Sequence, residues 1–452
     1  MFSGKKAFVF GAGISGVGAA KTLAFEEAGV TLYDEKGIDL ADEDKNFLLQ
    51  NGAVLTNQAP AADFYNSFDV MVLSPGISIN HPLAQKAQSN GVEVIGEVEL
   101  AYRVTKGKII AITGTNGKTT TATIVAQMVK SLSMPSYLGG NIGQSLSWAA
   151  RKLKDKKGLL VAEISSFQLE STKTFRPHIA AILNITPDHL DRHGDFAGYA
   201  AAKALLFANQ TKNDYLILNH DDEQLRLFAQ KTKSRVCFFS GRDVLPEGCF
   251  VRDGDIVINW RGRENKICRV DEMKIFGRHN VENALAACAA ARFANVGVAA
   301  MRRILLNFEG VEHRIEYTAT IEGVKYYNDS KATNPESAIK ALEAFADGQV
   351  ILIAGGYDKM TDLTEFMRLA KQKTSLLILL GKARERFYEA ALRAGIKNII
   401  IAASFEEAVL KAHGQAEEKQ VVLLSPACAS YDMFKNFEER GRYFKELVRK
   451  LQ

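Results

Sequence analysis

The sequence contains few cysteines, no uninterrupted apolar run of membrane-spanning length and no block of like charges. Its five cysteines are odd in number and show no C-x-x-C spacing, which argues against a disulfide framework and against a zinc site. The most apolar stretch, residues 284–301, is interrupted by Arg292 and Asn295, so it falls short of the roughly 20 apolar residues that span a bilayer. The net charge of +5 is spread along the chain, which favours neither nucleic acid nor a membrane as a partner. These absences predict a cytoplasmic protein.

Repeats and low-complexity segments are also absent, and the composition is that of an ordinary globular protein. Hydrophobic residues make up 47% of the chain and charged residues 24%, which excludes a disordered or coiled-coil protein. A chain of 452 residues exceeds what one hydrophobic core accommodates. Met1 leads directly into a predicted strand at residues 6–10, which leaves no room for a signal peptide. We predict three domains, over residues 1–105, 106–311 and 312–452.

Short apolar runs alternate with segments of helical period along most of the chain. Runs such as Ala7–Phe10 and Val70–Leu73 predict parallel strands covered by helices. Over residues 250–270 the pattern changes to short alternating strands with turns at Gly254 and Gly262, which predicts a small antiparallel addition to the middle domain. The predicted fold class is therefore α/β.

A glycine-rich loop joins a predicted strand, Lys108–Thr113, to a predicted helix that continues to about Lys130. Its glycines allow backbone N–H groups to close on phosphate oxygens, Lys118 reaches the β and γ phosphates, and a threonine hydroxyl ligates magnesium. The spacing departs from the common phosphate-loop pattern because Ile112 occupies the first glycine position. The alternative is a structural turn before a helix. The residues predicted to bind ATP here are Gly114, Thr115, Asn116, Gly117, Lys118, Thr119 and Thr120.

A second glycine-rich turn, Gly11–Gly16, follows the first predicted strand, and Asp34 ends the second strand about 20 residues later. This arrangement is typical of a dinucleotide site. The same turn can hold any diphosphate on its helix N-terminus, and Asp34 can hydrogen-bond any ribose or base edge. NAD, a nucleotide-sugar diphosphate and a purely structural turn therefore all remain open.

Polar residues follow two further predicted strands of the middle domain. Glu163 ends the strand Leu159–Glu163, and His189 follows the strand Ala180–Asn184. Ligands bind at the carboxyl ends of parallel strands, and a carboxylate there suits Mg²⁺. A lone histidine is more often a packed or surface group, and Lys203 by its helical pattern alone reads as a surface lysine.

Two constellations lie at the start of the predicted third domain. His313-Arg314 opens it, and residues 328–335 join a strand to a helix. The simple explanation of residues 328–335 is a helix N-terminus with Pro335 in the first turn. Their mixture of a carboxylate, a cation and several hydroxyl groups favours contact with a nucleotide or substrate.

Taken together, these motifs resemble the Mur ligases, ATP-dependent enzymes that add amino acids to the peptidoglycan precursor. The resemblance covers the whole chain in order. The matching segments are Gly114–Thr120, Gly140–Gly143, Glu163–Leu169, Asp188–His189, Lys203, His279–Asn283, His313–Arg314 and the segment that begins at Asp329.

Within this family, residues 11–16, 328–335 and 425–430 are similar to the members that add D-glutamate. Other members usually carry an Asp-Tyr-Ala-His segment where this chain has Asp329–Ala332. The resemblance implies D-glutamate and UDP-N-acetylmuramoyl-L-alanine as substrates, and it implies peptidoglycan precursor synthesis as the process. It also implies a Rossmann-like N-terminal domain, a central P-loop ATPase-like domain with a mainly parallel sheet, and a Rossmann-like C-terminal domain. We expect a monomer.

The resemblance further implies a role for each matching residue. The residues expected to hold the UDP substrate are Ile14, Ser15, Asp34, Glu35, Lys36, Ser74, Gly76, Asn141 and His189. The further nucleotide contacts are Asn280, Arg314 and Asp329. The residues expected to frame D-glutamate are Lys331, Thr333, Lys359, Ser430 and Phe437. The two lysines of this set are expected to pair with the two carboxylates of D-glutamate.

Two magnesium sites and one modified side chain complete the expected centre. The resemblance assigns Thr119 and Glu163 to the first magnesium. It assigns His189 and Lys203 to the second, with Lys203 converted to a carbamate by carbon dioxide. Lys118, Glu163, His189 and Lys203 are the residues expected to be catalytic.

Three other functions stay open on sequence grounds. A dehydrogenase using NAD leaves the ATP loop unexplained, and a nucleotide-switched regulator needs no amino-acid pocket. Folylpolyglutamate synthase shares the middle-domain chemistry, but Asp34 and its dinucleotide-like domain fit a UDP substrate better.

Overall fold

A computed structural model describes residues 1–58, 60–275, 277–358 and 360–451. The chain forms two compact units, Met1–Phe308 and Glu309–Gln452. Three sheets are distributed between them: two in the first unit and one in the second. Within the described ranges, no helix has both the length and the apolar character required to cross a membrane.

The first sheet is wholly parallel and has the strand order β3-β2-β1-β4-β5. Because β1 has β2 on one side and β4 on the other, the chain reverses direction across the sheet at β1, and a crevice opens at its carboxyl end. The elements are β1 (Lys6–Phe10), α1 (Ile14–Phe25), β2 (Gly29–Tyr33), α2 (Asp42–Gln50), β3 (Val54–Thr56), β4 (Val70–Leu73), α3 (Pro82–Ser89), β5 (Glu93–Gly96) and α4 (Glu97–Val104).

In the part of the chain that the structure describes, the central sheet has nine strands in the order β14-β13-β12-β11-β10-β9-β6-β8-β7. All neighbours from β12 to β7 are parallel, whereas β12, β13 and β14 pair antiparallel. The predicted antiparallel addition is therefore confirmed. The strands are β6 (Lys108–Thr113), β7 (Ser136–Gly140), β8 (Leu159–Glu163), β9 (Ile179–Ile182), β10 (Tyr215–Asn219), β11 (Arg235–Ser240), β12 (Gly248–Arg252), β13 (Asp255–Trp260) and β14 (Arg263–Arg269).

Helices cover the central sheet, and the reversal of strand order occurs at β6, which lies between β8 and β9. The crevice at its carboxyl end is where the phosphate loop begins. The helices are α5 (Lys118–Val129), α6 (Leu146–Arg151), α7 (Ser166–Leu169), α8 (Leu190–His193), α9 (Phe196–Ala204), α10 (Glu223–Ala229), α11 (Arg278–Phe293) and α12 (Val298–Asn307).

The second compact unit contains one sheet, in the order β15-β16-β20-β17-β18-β19. Among the described strands of this sheet, β15 and β16 pair antiparallel and the other neighbours pair parallel. The elements are β15 (Glu316–Ile321), β16 (Val324–Asn328), α13 (Pro335–Leu342), β17 (Val350–Gly355), α14 (Thr364–Lys373), β18 (Thr374–Leu380), α15 (Arg384–Ala394), β19 (Ile399–Ile401), α16 (Phe405–Gln415), β20 (Val421–Leu424) and α17 (Phe437–Arg449).

The first two sheets share one hydrophobic core. One cluster of buried side chains runs from Phe2 to Phe228 and includes Leu23 of α1, Leu100 of α4 and Leu146 of α6. The other face of the first sheet has its own cluster, which is rich in phenylalanine. The three sheets agree with the predicted three α/β domains. The predicted limit at residues 105–106 stays a prediction, since the shared core joins both sides of it.

Candidate functional site

The phosphate loop follows β6 and ends at the N-terminus of α5. Gly114 (φ +154°) and Gly117 (φ +82°) both have positive φ. A side chain at Gly117 would lie 2.2 Å from Asn283 Oδ1 on α11, so conformation and space both require glycine there. The backbone N–H of Asn116 donates to Asn184 Oδ1 at 2.8 Å, which anchors the loop beyond the end of β9.

Hydroxyl groups line the same loop. Thr119 and Thr120 are buried in the first turn of α5. Thr115 Oγ1 donates to the carbonyl oxygen of Thr186 at 3.1 Å and lies 3.2 Å from the Tyr199 hydroxyl oxygen. The N-terminus of a twelve-residue helix adds positive potential at this point. The loop therefore has the geometry of a phosphate-binding site.

Two ammonium groups converge on the carbonyl oxygen of Gly114. Lys118 Nζ donates to it at 2.9 Å and to the carbonyl oxygen of Thr115 at 2.8 Å. Lys203 Nζ donates to Gly114 O at 2.9 Å. Lys203 is 1% exposed, so it is not the surface lysine that the helical pattern alone suggests. Burial, with a smaller contribution from the charge of Lys118, lowers the pKa of Lys203 to about 7.

A buried carboxylate lies beside the loop. Glu163 is 2% exposed and stands opposite Ile112 in the β6–β8 ladder. Asn141 Nδ2 donates to Glu163 Oε1 at 2.8 Å, and the Asn141 backbone N–H donates to Glu163 O at 2.8 Å. Glu163 Oε2 is buried without a hydrogen-bond partner. An acceptor left open in this position suits a hard cation such as Mg²⁺.

His189 and Lys203 flank the same tyrosine. His189 is half exposed, with φ +52°, and its Nε2 lies 3.5 Å from Asp188 Oδ2. The His189 ring centroid is 6.5 Å from that of Tyr199, and Lys203 Nζ is 4.6 Å from the Tyr199 centroid. The structure thus brings Lys118, Glu163, His189 and Lys203 to one edge of the central sheet.

Sequence reasoning missed three contributors to this edge. His193 Nε2 lies 3.0 Å from Ser166 Oγ, and its ring packs against Tyr199 at 5.3 Å. Burial lowers the pKa of His193. Its position four residues after His189 was an available signal, because residues four apart share a helix face. Asn184 and Tyr199 gave no such signal, since their contacts with the phosphate loop are non-local.

The turn at Gly11 is held to the carboxyl end of β2 by Asp34. Asp34 Oδ2 accepts from the Ala12 backbone N–H at 2.8 Å, and Oδ1 accepts from the Lys36 backbone N–H at 2.9 Å. Gly11 has φ +98°, and a side chain there would meet Ser74 Cβ at 2.7 Å. Ser74 Oγ donates to Gly11 O at 3.3 Å. Asp34 and Ser74 therefore form the walls of the turn.

The other residues predicted for the UDP substrate lie around this turn. Ile14 is 71% exposed at the start of α1, next to the half-buried Ser15. Glu35 Oε1 lies 3.5 Å from His81 Nε2, which sequence reasoning did not single out. Gly76 is exposed in the loop that follows Ser74. Ile14 and Gly76 are therefore accessible to a ligand beside the turn.

In the second unit, Asp329 is buried at the carboxyl end of β16. Its Oδ2 accepts from Ser425 Oγ at 2.7 Å, and its Oδ1 accepts from the Ile315 backbone N–H at 3.2 Å. Burial raises the pKa of Asp329 to about 7, against the opposing effect of these donors and of Arg314. Asn280, the remaining predicted nucleotide contact, lies on α11 in the first unit, where its Oδ1 accepts from Asn283 Nδ2 at 3.3 Å.

Arg440 joins the two segments predicted to frame D-glutamate. It is 1% exposed, and sequence reasoning did not find it. Arg440 Nε donates to Ser330 Oγ at 2.9 Å, and its terminal nitrogens donate to Ser330 O at 2.8 Å and to Cys428 O at 3.1 Å. The segments after β16 and β20 are therefore tied through one guanidinium group.

The predicted D-glutamate residues lie around this tie, with one exception. Lys331 Nζ is 5.9 Å from the ring centroid of Phe437. Ser430 is buried beyond β20, and the Thr333 backbone N–H donates to Lys331 O at 2.9 Å. Lys359, the second predicted lysine, lies outside the described residues.

Comparison with known proteins covers almost the whole chain. Residues 5–96 match the Mur ligase MurD-like N-terminal domain, residues 112–291 the Mur ligase middle domain, and residues 313–428 the Mur ligase glutamate ligase domain. UDP-N-acetylmuramoylalanine–D-glutamate ligase of Pelotomaculum thermopropionicum is 45% identical over 451 residues, which cover 100% of this chain and 99% of that protein. The protein of the same name from Thermoanaerobacter is 43% identical and covers 99% of both chains.

Solved structures give the same fold at lower identity. UDP-N-acetylmuramate-alanine ligase of Thermotoga maritima has a TM-score of 0.60 and 19% identity, and covers 99% of this chain and 100% of its own. A pseudomurein peptide ligase of Methanothermus fervidus has a TM-score of 0.59 and 19% identity with the same coverage. MurF ligase of Thermotoga maritima, solved with ADP, has a TM-score of 0.57, 17% identity and coverage of 94% and 96%. The chain belongs to the Mur ligase family.

Proposed function

We propose that this chain ligates D-glutamate to UDP-N-acetylmuramoyl-L-alanine at the expense of ATP, in the synthesis of the peptidoglycan precursor. Relatives at 43–45% identity over the full chain carry the name of that activity. The observation that carries the proposal is the phosphate loop, with a buried carboxylate, two lysines and a histidine at the same sheet edge. This set suits phosphoryl transfer, which needs positioning and charge neutralisation.

ATP is assigned to the loop after β6. Backbone N–H groups at the start of α5 and the ammonium group of Lys118 would meet its phosphates. Thr119 and Glu163 would hold the first Mg²⁺, whose chemistry is to neutralise phosphate charge. The open Glu163 Oε2 supports this assignment. Asn280, Arg314 and Asp329 are assigned to the nucleoside end.

The UDP substrate is assigned to the turn at the carboxyl end of β1. The Gly11–Gly16 turn and the N-terminus of α1 would receive the diphosphate, with Asp34 at the edge of the crevice. Asn141 and His189 would line the muramoyl end. If NADH bound this turn saturably and UDP failed to displace it, the assignment would be wrong.

D-glutamate is assigned to the carboxyl ends of β16 and β20. Its two carboxylates would meet Lys331 and Lys359, and Thr333, Ser430 and Phe437 would frame the rest of the molecule. The buried Arg440 supports this assignment because it holds the two segments together from behind.

The reaction follows from these positions in two steps. An oxygen of the alanyl carboxylate attacks the γ-phosphorus of ATP, so a P–O bond forms, ADP leaves and an acyl phosphate results. The amine of D-glutamate then attacks the acyl carbon and loses a proton, and inorganic phosphate leaves. The chain's contribution to the first step is the positive charge of Lys118 and the placement of both reactants.

Lys203 is proposed to react with carbon dioxide. Its neutral amine attacks the carbon atom, an N–C bond forms, one proton is lost and an anionic carbamate remains. The carbamate oxygens and His189 would hold the second Mg²⁺, because magnesium prefers hard oxygen ligands. The lowered pKa and near-complete burial of Lys203 support the reaction, since only the neutral amine is nucleophilic. A carbon-13 carbamate signal from labelled bicarbonate should appear in the parent and be missing in Lys203→Ala.

The experiment that tests the proposed function is ADP release over a matrix of acceptors and amino acids. We expect release only when UDP-N-acetylmuramoyl-L-alanine and D-glutamate are both present. Release with L-amino acids, or without the UDP acceptor, would contradict the assignment. A cytoplasmic location and a monomeric state stay predictions, to be checked by cell fractionation and light scattering.

A further inference from the structure

Helix α4 carries two buried glutamates, Glu97 and Glu99, whose surroundings shift their pKa values in opposite directions. Glu99 accepts hydrogen bonds from the backbone N–H groups of Lys173, Thr174 and Phe175, and from the side chains of Thr174 and Arg103. This set stabilises the ionised form and keeps the pKa of Glu99 below its usual value, although burial alone would raise it.

Glu97, two residues earlier, accepts fewer hydrogen bonds than Glu99. It is 2% exposed. Its Oε1 accepts from the Ser147 backbone N–H at 2.5 Å, while its Oε2 is buried without a hydrogen-bond partner. A carboxylate ionised here would be costly to bury. Burial raises the pKa of Glu97 to about 7.

A second buried oxygen without a hydrogen-bond partner lies on α6. Ser147 Oγ is also buried without a partner. The side chains of Ser147 and Ser145 are close enough to the Glu97 carboxyl group to influence its titration. Protonation of Glu97 removes the cost of burying a charge, and the carboxylic acid O–H can donate to a hydroxyl oxygen such as Ser147 Oγ.

The cationic side chains on the helices around Glu97 pair with other carboxylates. Among the described residues of the helices packed against it, Lys21 of α1 bonds Asp44, and Arg151 of α6 pairs with Glu26. Arg103 of α4 bonds Glu93 and Glu99. The titration of Glu97 is governed mainly by its burial, which hydrogen bonds from Ser147, Leu146 and Ser145 oppose.

The contact joins α4 to α6, the helix that follows the loop carrying Asn141. Ser145 caps α6, with its Oγ accepting from the Trp148 backbone N–H at 3.2 Å. The other end of the same loop is held by the Asn141–Glu163 hydrogen bonds. Glu97 therefore fixes one end of a loop whose other end reaches the phosphate-loop edge.

We propose that Glu97 is a positioning residue held as a neutral carboxylic acid, which donates its proton to Ser147 Oγ and fixes α6 with the Asn141 loop. The part that concerns substrate rests on the proposed function, in which Asn141 lines the UDP substrate. The protonation state does not rest on it. Ionisation of Glu97 at higher pH should therefore weaken the contact between α4 and α6.

The first test is thermal unfolding of the parent, Glu97→Gln and Glu99→Gln between pH 5 and pH 8.5. Since the pKa of Glu97 is raised in the folded state, its contribution to stability is complete below the unfolded value of 4.5 and is lost as pH rises through about 7. Glutamine keeps a donor and does not titrate. We expect the folding constant of Glu97→Gln relative to the parent to rise at least tenfold across this range.

Glu99→Gln is the matched control, since it removes an ionised carboxylate from the same helix and should destabilise the protein at every pH in this range. The infrared spectrum in D₂O provides an independent readout. Asp329, whose pKa is also raised to about 7, contributes to the protonated-carboxyl band in both proteins. The band of the parent at pH 6 should therefore be larger than that of Glu97→Gln, and this difference should fade above pH 7. If Glu97→Gln fails to fold, Ser147→Ala should shift the same band by removing its acceptor.

The functional readout is the KM of the UDP substrate. In the parent it should rise above pH 7, and in Glu97→Gln it should rise less, with the KM of ATP moving similarly in both. Parallel stability curves for the parent and Glu97→Gln, or carboxyl bands of equal size in the two proteins at pH 6, would overturn the proposal. If the proposed substrate is wrong, activity is absent in both proteins, while the stability and infrared results still decide the protonation state.

Discussion

At the scale of single residues, two lysines donate to one carbonyl oxygen, that of Gly114. Two ammonium groups on one acceptor repel each other, and Lys203 is the more deeply buried. Its lowered pKa follows from burial first and from Lys118 second. Lys203 therefore loses its charge at a lower pH than an exposed lysine does.

Carbamate formation at Lys203 should increase with pH. The neutral fraction of an amine with a pKa of about 7 rises steeply between pH 6 and pH 8. We expect the carbon-13 carbamate signal and the turnover to rise together over this interval. Lys203→Ala should lose most turnover and recover part of it with a small added carboxylate. Lys212→Ala, at an exposed lysine, is the control and should change neither quantity; near-parental turnover of Lys203→Ala without carbon dioxide would contradict the prediction.

Lys331→Ala should weaken the use of D-glutamate. Removing a cation from a carboxylate contact typically costs about 2–5 kcal/mol, or roughly 30-fold to several-thousand-fold in affinity. We expect the KM of D-glutamate to rise and that of the UDP substrate to move less, and the same of Lys359→Ala. Lys340→Ala removes an exposed lysine that pairs with Glu343 on α13 and should leave both KM values unchanged. Unaltered D-glutamate kinetics in Lys331→Ala would remove this lysine from the pocket.

At the scale of elements, the junction of β6 with α5 depends on backbone conformation as much as on side chains. Gly117 combines positive φ with a close approach to Asn283. Helix α11 therefore packs closely against the phosphate loop at Gly117. A side chain at this position would require the loop or helix α11 to move.

Gly117→Ala should cost more stability than a glycine substitution that meets only the conformational penalty. Positive φ costs an L-residue about 1–2 kcal/mol, and the methyl group would in addition lie 2.2 Å from Asn283 Oδ1. Gly91→Ala is the control, because Gly91 has φ +85° and an added methyl group there would meet no atom within 4 Å. Thermal unfolding should give a larger loss for Gly117→Ala, with weakened ATP use in that variant alone. Equal losses would contradict the argument.

Most strands were predictable from the sequence, because strand signals are local. Val70–Leu73, Lys108–Thr113 and Leu159–Glu163 were predicted with the bounds observed. The strand predicted at 180–184 ends two residues earlier, at Ile182, since Asn184 turns out of the sheet to hold the phosphate loop. Apolar runs report burial, but not which neighbour a strand pairs with.

Site residues that belong to a contiguous motif were predictable from the sequence. Site residues that are positioned only by tertiary packing were not. The loop at Gly114–Thr120 is contiguous in sequence, so its chemistry was readable. Tyr199, His193 and Arg440 act through contacts with segments 27–110 residues away. The burial of Lys203 had no local signal either, since its helix α9 is buried through tertiary packing.

At the scale of the whole molecule, the hydrophobic clusters divide the chain unequally. The clusters of the second unit lie entirely within it. The first sheet has one face with its own core and another face that shares a core with the central sheet. Separation at residue 308 therefore exposes less of these clusters than separation at residue 105.

The two ends of the chain should therefore differ in thermal unfolding when each is produced as a separate fragment. A fragment of residues 309–452 should unfold in a cooperative thermal transition followed by circular dichroism, because its hydrophobic clusters are complete. A fragment of residues 1–105 should unfold without cooperativity or aggregate, because Leu23 and Leu100 would lose the packing supplied by α6 and its neighbours. A cooperative transition for residues 1–105 at a similar temperature would contradict the shared core.

The shared core also affects folding during synthesis, because the N-terminal part of the chain cannot complete its core until α6 has been made. Synthesis proceeds at about 5–20 residues per second, so helix α6 emerges roughly 3–10 s after the last strand of the first sheet. During that interval the part of α1 that packs against α6 stays uncovered, although β1, β2 and α4 are already present. The nascent N-terminal layer is thus exposed to aggregation and to chaperones until the central layer arrives, whereas the C-terminal layer can complete its clusters without waiting for a later segment.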